Sequence, residues 1–377
     1  MRIRAVRVHT APMSESWLNQ SLIANPMSEY AAYKARRSSW FGRMTAAVVE
    51  IETEDGLTGL GFAGGAKGAA VRTIVEEHFG PFLIGRDARE IELVWEQLYR
   101  ASVMYGRRGL AIEAISAIDI ALWDLAGKAA GKPVYELLGG GTKDRLPAYV
   151  TGNMTDRHLA EGFRDVKIAL PHGPASGEQG LRENEALIGA ARERIGPEGK
   201  LMLDCYMALT VPYALELLRR VRDYRVHWME EPLPPDDLDG YRRLRERAGV
   251  LIAGGEHEYT RWGFRDLIEK RAVDILQPDI YRAGGVSELR KIAAMASAAG
   301  LPVIPHGVGA PTYHFVWSNP GSPVAEFVDI FAQGGELLLE GEPIPARGFI
   351  ELGGEPGFGY RLNERAARGE VAVAPIW

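Results

Sequence analysis

Residues 201–206 have the sequence LMLDCY, residues 226–231 have VHWMEE and residues 251–256 have LIAGGE. Each run is apolar at its start and reaches an acidic residue near its end, and these acids recur at intervals of 26 residues. A repeat of this length accommodates one β-strand, one helix and two loops. The spacing therefore predicts a barrel of alternating strands and helices, with acidic residues at equivalent ends of successive parallel strands.

The three recurring acids are Asp204, Glu230 and Glu256, and the rhythm continues beyond them. Asp279, in DILQPDI, lies 23 residues after Glu256, and His306, in LPVIPHG, lies 27 residues after Asp279. The three carboxylates offer only hard oxygen ligands, which favour Mg²⁺ over zinc or copper. A carboxylate that hydrogen-bonds one nitrogen of an imidazole raises the basicity of the other. The pattern therefore predicts a metal site beside an oriented base.

The acidic residues of these runs also have structural interpretations. A single acid at a strand end would more simply cap a helix or pair with a surface cation, but three acids at equal steps favour a shared site. Glu231 follows Glu230 directly, so strand alternation predicts that its side chain points the opposite way and supports the ligands. Cys205 lies inside an apolar run and is interpreted as core.

The length, charge and cysteine content of the chain limit the classes of protein to which it can belong. The chain has 377 residues, which exceeds a usual single domain and favours one large barrel with a smaller companion. A formal charge of −6 argues against nucleic acid and against an anionic membrane surface as partners. No apolar stretch of about 18 residues or more occurs, so no membrane span is predicted. The single cysteine and the lack of a signal-peptide pattern favour a cytoplasmic location.

The order of the predicted elements divides the chain into two parts. Residues 1–135 show strand-like runs and then helical runs, which is typical of an α+β module, and the longest helical run covers residues 109–131. Residues 136–339 alternate between strand-like and helix-like runs and supply about eight strand candidates, the number of a barrel. Residues 340–377 lack this alternation, so we predict that they pack back against the first part.

Residues 59–64, GLGFAG, match the glycine pattern of dinucleotide-binding loops. Such a loop must directly follow a parallel strand and open a helix within a βαβ unit. The turn signal Asp55-Gly56 instead places the pattern on the return strand of a β-hairpin. We therefore predict that these glycines do not bind a dinucleotide.

From residue 1 to about residue 363 the chain resembles the enolase superfamily, and within it the mandelate racemase-like subgroup. The resemblance is carried by the Asp, Glu, Glu, Asp and His on five successive predicted strands. It implies an α/β fold in which an N-terminal α+β capping domain covers a modified (β/α)₇β TIM-like barrel. It also implies a homo-oligomer that uses Mg²⁺ to stabilise the enediolate formed when a base removes the proton next to a substrate carboxylate.

Within the subgroup the chain looks most similar to the L-rhamnonate dehydratase family. The implied reaction removes the C2 proton and then the C3 hydroxyl of a small acid sugar, which gives a 2-keto-3-deoxy acid. Dehydration or epimerisation of another acid sugar, such as L-lyxonate or L-mannonate, remains open, as does a catalytically inactive binding protein. The stretches that carry the similarity include ANPMS (24–28), YKARRS (33–38), EEPLPPDDLDGY (230–241), GGEHEYT (254–260), QPDI (277–280) and PGFGYRLN (356–363).

The resemblance implies the same metal ligands and the same base as the spacing does, and it adds four residues. His257 either assists acid–base chemistry or supports a ligand by a hydrogen bond, and Glu326 is a site carboxylate. Arg37 lies in a loop expected to close over the acid sugar and to bind it. Lys167 either binds the substrate carboxylate or is structural.

One departure from the family pattern bears on the reaction. Mandelate-type racemases carry a Lys-x-Lys pair on the second barrel strand, and its second lysine supplies a base on the opposite face of the substrate. Here that strand contains Lys167-Ile168-Ala169. Racemisation needs a base on each face, whereas dehydration can proceed from one face, so Ala169 favours dehydration.

Overall fold

The computed structural model describes residues 1–14, 23–34, 44–65, 67–329 and 335–374, and these residues form three β-sheets. A three-stranded antiparallel sheet lies near the N-terminus, a larger sheet of the barrel type follows, and a two-stranded sheet lies near the C-terminus. The strands are β1 (Ile3–Pro12), β2 (Thr45–Thr53), β3 (Thr58–Ala63), β4 (Leu146–Thr151), β5 (Val166–Ala169), β6 (Leu201–Asp204), β7 (Val226–Glu230), β8 (Leu251–Gly254), β9 (Ile275–Leu276), β10 (Ala325–Val328), β11 (Leu339–Glu340), β12 (Phe349–Ile350) and β13 (Arg361–Leu362).

Helices connect and cover these strands. No helix within the described ranges combines the length and the apolar character needed to cross a membrane. The α-helices are α1 (Ala31–Lys34), α2 (Gly68–Ile74), α3 (Gly80–Leu83), α4 (Ile91–Ser102), α5 (Leu110–Ala130), α6 (Val134–Leu137), α7 (Thr155–Ala160), α8 (Gly177–Ile195), α9 (Val211–Arg220), α10 (Leu238–Arg247), α11 (Thr260–Glu269), α12 (Gly285–Ala298), α13 (Ala310–Ser318) and α14 (Glu364–Ala367), with a π-helical turn at Val75–Phe79 and 3₁₀ turns at Pro26–Glu29, Pro174–Ser176 and Arg222–Tyr224.

The glycine pattern of β3 serves close packing between this strand and α5. Strand β3 pairs antiparallel with β2, as the hairpin prediction required. A Cβ atom on Gly61 would lie 1.9 Å from the carbonyl oxygen of Ala117, and one on Gly59 would lie 2.1 Å from that of Ala121. Any side chain at these positions would therefore push the helix away from the sheet. The glycines have a packing role, and the βαβ context of a dinucleotide site is absent from this hairpin.

The larger sheet has the predicted barrel order. Strands β4 to β9 pair in chain order and in parallel, and β10 pairs in parallel with β4. Helices α7 to α11 separate strands β4 to β9, and α12 and α13 lie between β9 and β10. In the part of the chain after β10 that the structure describes, the next helix is α14. This arrangement confirms the α/β fold class with a modified (β/α)₇β barrel, in which side chains at the carboxyl ends of the strands face one common mouth.

One predicted strand, residues 301–307, is held only by isolated bridges. Val303 bridges Leu276 of β9, and His306 bridges Asp279, both in parallel. Prolines at 302 and 305 have no N–H group, so the segment cannot form a continuous ladder. The bridges still place His306 directly beside Asp279.

An apolar layer fills the barrel below its mouth. Met202 and Trp228 belong to this layer and precede Asp204 and Glu230 by two residues each. Because successive side chains of a strand alternate between faces, both acids point into the same interior, one layer closer to the strand ends. The layer consists of Tyr149, Met202, Trp228, Ala253, Ile275 and Ile304.

Helices α4 and α5 join the N-terminal part to the barrel. Trp95 Nε1 donates to Gly284 O at 2.8 Å, and Ser116 Oγ accepts from Gly284 N at 2.9 Å. Asp119 Oδ2 accepts from Ser287 N at 3.0 Å in the first turn of α12. These contacts are buried, so the N-terminal helices fix the loop that leads from β9 into α12.

The C-terminal segment contacts both parts of the molecule. Strand β12 pairs antiparallel with β4 of the barrel, while Val373 bridges Met13 and Tyr360 Oη donates to Leu60 O at 2.7 Å. The domain boundaries near residues 135 and 340 stay predictions.

Candidate active site

The acids at the ends of β6 and β7 lie side by side. Asp204 is the last residue of β6 and Glu230 is the last residue of β7, and the two are register partners. Ala169, the last residue of β5, is in turn the register partner of Asp204. The position of the missing lysine is therefore beside the predicted metal ligands, and it carries only a methyl group.

Glu256 follows β8 after a turn that requires glycine. Gly255 has φ +127°, and a Cβ atom there would lie 2.8 Å from the ring of Phe264. The Glu256 carboxylate is buried and its Oε1 accepts from Arg282 Nη1 at 2.8 Å. Burial would raise its pKa, but the nearby imidazoles of His306 and His257 and the Arg282 guanidinium outweigh burial and lower it. Glu256 is thus held ionised at the mouth.

His306 and Asp279 form the predicted dyad. His306 Nδ1 donates to Asp279 Oδ2 at 2.9 Å, and His306 Nε2 lies 3.4 Å from Glu256 Oε1. The second imidazole nitrogen therefore points at the carboxylates of the mouth. Burial would lower the pKa of His306, but the charges of Glu256 and Glu326 and the bond to Asp279 raise it to about 9.

His257 and Glu231 form a second imidazole–carboxylate pair on the other side of Glu256. His257 Nδ1 lies 2.6 Å from Glu231 Oε2, and the backbone N–H of His257 donates to Glu231 Oε1 at 3.1 Å. His257 Nε2 lies 3.8 Å from Glu256 Oε1. Burial would lower the pKa of His257, but the charges of Glu231 and Glu256 raise it.

The strand alternation predicted for Glu231 does not hold at this position. Strand β7 ends at Glu230, and Glu231 adopts φ +40°, so the alternation of an extended strand does not apply to it. Its buried carboxylate contacts the ring and the backbone N–H of His257, so Glu231 supports His257, which lies beside Glu256.

Lys167 is enclosed by carboxylates. It is fully buried, it forms an ion pair with Glu230, and its Nζ lies 2.8 Å from Glu326 Oε1 and 3.8 Å from Asp204 Oδ2. Burial would lower the pKa of Lys167, but the charges of Glu230 and Glu326 hold it well above its usual value. Of its two predicted roles, these contacts favour the structural one, in which Lys167 neutralises buried acids.

Glu326 lies between this lysine and the backbone next to His306. It lies on β10, its Oε1 accepts from Thr151 Oγ1, and its Oε2 accepts from the backbone N–H of Gly307 at 2.9 Å. Burial would raise the pKa of Glu326, but Lys167 and His306 lower it. The carboxylate therefore lies beside Lys167 and fixes the backbone next to His306.

The charge balance of the mouth suits a divalent cation. Burial raises the pKa of Glu230 to about 8 and that of Asp204 to about 6, even though Lys167 opposes both shifts. The charge of Lys167 therefore does not fully compensate these carboxylates, and a bound Mg²⁺ would stabilise their ionised forms. The carboxylates that face the mouth are Asp204, Glu230, Glu231, Glu256, Asp279 and Glu326, against the permanent cations Lys167 and Arg282.

A compact ligand group in the described ranges differs from the predicted set. Glu231, Glu256 and His257 offer ligand atoms that all lie within 4.8 Å of one another. Asp204 and Glu230 are instead drawn toward Lys167. The group that includes His257 mixes imidazole with carboxylates, whereas the predicted set offers only the carboxylate oxygens that Mg²⁺ prefers.

Sequence reasoning missed Arg282 as a residue of the site. Arg282 contacts both Glu256 and Asp279, and its only sequence signal is its position three residues after Asp279. Arg37 lies outside the described residues.

The chain matches two families of known domains. Residues 152–366 match the enolase C-terminal domain-like family, and residues 36–139 match the mandelate racemase / muconate lactonizing enzyme N-terminal domain. Together the two matches cover most of the N-terminal part and most of the barrel, and they leave out β1 and β4.

Individual relatives are similar over nearly their whole lengths. A Caldivirga maquilingensis protein provisionally named L-rhamnonate dehydratase is 44% identical over 358 residues, 93% of this chain and 89% of the relative. L-Rhamnonate dehydratase of Saccharopolyspora erythraea is 41% identical over 381 residues, 96% of this chain and 97% of the relative. The crystal structure of rhamnonate dehydratase from Gibberella zeae complexed with Mg is 41% identical, with a TM-score of 0.90, and the match covers 98% of this chain and 96% of that one.

Proposed function

Because the chain belongs to the mandelate racemase / muconate lactonizing enzyme family of the enolase superfamily, we propose that it is a Mg²⁺-dependent acid-sugar dehydratase, a hydro-lyase. L-Rhamnonate is the first candidate substrate because relatives with that name are 41–44% identical. The observation that carries the proposal is the His306–Asp279 dyad, together with Ala169 at the end of β5, where mandelate-type racemases carry a second lysine.

Asp204, Glu230 and Glu256 would hold the Mg²⁺. When bound, Mg²⁺ supplies positive charge that stabilises the negative charge developing on the substrate carboxylate as the C2 proton leaves. Lys167 would then remain as the counter-charge of Glu230 and Glu326. Arg37 remains the proposed cation that binds the acid sugar from the capping loop.

His306 performs both proton transfers. Its Nε2 takes the C2 proton, while Asp279 holds the proton on Nδ1 and thereby fixes the tautomer in which Nε2 is free. The resulting imidazolium gives the proton to the C3 hydroxyl as the C3–O bond breaks and water leaves. The enol that remains tautomerises to the 2-keto-3-deoxy acid.

His257 lies at the same carboxylate as His306 and is the second candidate for proton transfer. The bond from Glu231 orients its ring in the way that Asp279 orients His306. His257 either assists departure of the C3 hydroxyl or holds Glu256 in place.

The test is to incubate the protein with L-rhamnonate and Mg²⁺ and to detect a 2-keto-3-deoxy acid with semicarbazide. We expect turnover by the wild type and a loss of about 10²–10⁴-fold in His306→Asn. Dehydration by that variant at the wild-type rate would contradict the assignment of the base.

Other outcomes identify the alternatives. An epimerase would exchange the C2 proton with solvent and return a stereoisomer without losing water. A dehydratase for another acid sugar would process L-lyxonate or L-mannonate and leave L-rhamnonate unchanged. A binding protein would convert none of these acids at any Mg²⁺ concentration. Assembly into a homo-oligomer stays a prediction.

A further inference from the structure

Arg282 connects the two halves of the proposed catalytic site. Its Nη1 donates to Glu256 Oε1 at 2.8 Å, and its Nε lies 3.6 Å from Asp279 Oδ2. The first partner is a proposed metal ligand and the second is the carboxylate that orients His306. Arg282 is 6% exposed, so both contacts lie in a region largely closed to water.

We propose that Arg282 is a positioning residue that fixes Glu256 relative to the His306–Asp279 dyad, an inference that rests on the proposed function. The proton-abstracting nitrogen and the cation that stabilises the developing charge must lie at a set separation, because proton transfer is sensitive to displacements of about 1 Å. A single planar guanidinium that contacts both carboxylates sets that separation.

The choice of oxygen on Glu256 supports this role. Arg282 engages Oε1, the same oxygen that faces His306 Nε2 at 3.4 Å. Among the described residues, no side chain hydrogen-bonds Oε2. Arg282 therefore holds one oxygen of Glu256 and leaves the other available for a cation.

The loop around Arg282 is itself held in place. The backbone N–H of Arg282 donates to Asp279 O at 3.1 Å, and that of Gly284 donates to Ser116 Oγ of the N-terminal part. A Cβ atom on Gly64 would lie 3.5 Å from Arg282 Cγ, so the end of β3 packs close to the arginine stem. The guanidinium, whose Nη1 also lies 3.4 Å from His257 Nε2, thus has little freedom to leave Glu256 and Asp279.

A lysine at position 282 cannot make the same pair of contacts with Glu256 and Asp279. Arg282 reaches Glu256 through Nη1 and Asp279 through Nε, which are different atoms of a rigid fork. The ammonium of a lysine is a single point charge on a flexible stem. Arg282→Lys therefore keeps the positive charge and removes the bridge, which separates positioning from simple charge compensation.

The experiment compares Arg282→Lys with the wild type in three measurements: Mg²⁺ affinity by calorimetry without substrate, kcat and KM for the acid sugar, and thermal unfolding. We expect Mg²⁺ affinity to fall about 10-fold or more and kcat to fall about 10–100-fold, while KM changes less than kcat. Arg245→Lys is the matched control, because Arg245 pairs with Asp274 at 2.6 Å on the outside of the barrel. It should leave affinity and kcat unchanged.

Wild-type Mg²⁺ affinity and kcat in Arg282→Lys would overturn the proposal, as would a loss of kcat fully explained by a smaller folded fraction. Arg282→Gln gives a second measurement if the lysine variant folds poorly, and it should lose at least as much affinity. If the wild type dehydrates no acid sugar but Arg282→Lys still weakens Mg²⁺ binding, the proposed function fails and the positioning of Glu256 stands.

Discussion

The Nε2 atom of His306 lies 3.4 Å from Oε1 of Glu256, so the proposed base directly faces a proposed metal ligand. The charge of Glu256 is one of the causes that raise the pKa of His306 to about 9 against the opposing effect of burial. A proton on His306 and a cation at Glu256 therefore compete for the same negative charge. This competition couples metal binding to protonation.

The coupling predicts that Mg²⁺ binding releases protons near neutral pH. His306 is protonated below a pKa of about 9, and Mg²⁺ favours the neutral imidazole, so Mg²⁺ affinity should rise with pH up to about 9. Glu230, with a pKa raised to about 8 by burial, contributes in the same direction because it binds the ion only when ionised. Calorimetry in two buffers of different ionisation enthalpy measures the released protons.

The control for this release is His306→Asn, which removes the imidazole and retains the carboxylates. It should release fewer protons per Mg²⁺ bound than the wild type. Equal release in both proteins, or affinity independent of pH between 6 and about 9, would show that His306 is not coupled to the ion.

The contact of Asp279 with His306 predicts that the conservative substitution Asp279→Asn lowers kcat strongly. In Asp279→Asn the side chain keeps its shape but loses the charge that fixes the Nδ1–H tautomer of His306. We expect kcat to fall about 10²-fold or more, with a loss of stability limited to the weakened charged contacts of residue 279 with His306 and Arg282. A kcat within a few-fold of wild type would mean that Asp279 does not orient the base.

The acids of the barrel were predictable from the sequence because the strands end where the apolar runs end. Asp204 and Glu230 are the terminal residues of β6 and β7, and two-residue alternation from buried Met202 and Trp228 points them inward. Where the backbone is a regular strand, residue spacing predicts which way a side chain points. In β7 the regular strand ends at Glu230.

The rest of the site depends on backbone that leaves the regular pattern. Glu231 turns toward His257 through a positive φ that no local signal in a non-glycine residue predicts. The enclosure of Lys167 by three carboxylates requires the barrel to close, since its partners come from β6, β7 and β10. Arg282 likewise acquires its partners only when two strand ends meet.

The pair of His257 and Glu231 predicts a result that separates acid–base chemistry from support. If His257 transfers a proton, Glu231→Gln should lower kcat, because the charge of Glu231 contributes to raising the pKa of His257. His257→Asn combined with Glu231→Gln should then be no worse than His257→Asn alone. If His257 only supports Glu256, both variants should weaken Mg²⁺ binding, and kcat at saturating Mg²⁺ should stay near the wild-type value.

The packing of β3 against α5 predicts that Gly61→Ala is strongly destabilising. The new Cβ atom would lie 1.9 Å from the carbonyl oxygen of Ala117, so the helix must move, at a cost of about 1–3 kcal/mol. Gly354→Ala is the matched control, because no atom lies within 4 Å of its new Cβ. Urea unfolding should place the midpoint of Gly61→Ala well below that of the wild type and leave that of Gly354→Ala nearly unchanged. A midpoint for Gly61→Ala equal to the control would mean that the glycine pattern of this hairpin is not required for packing.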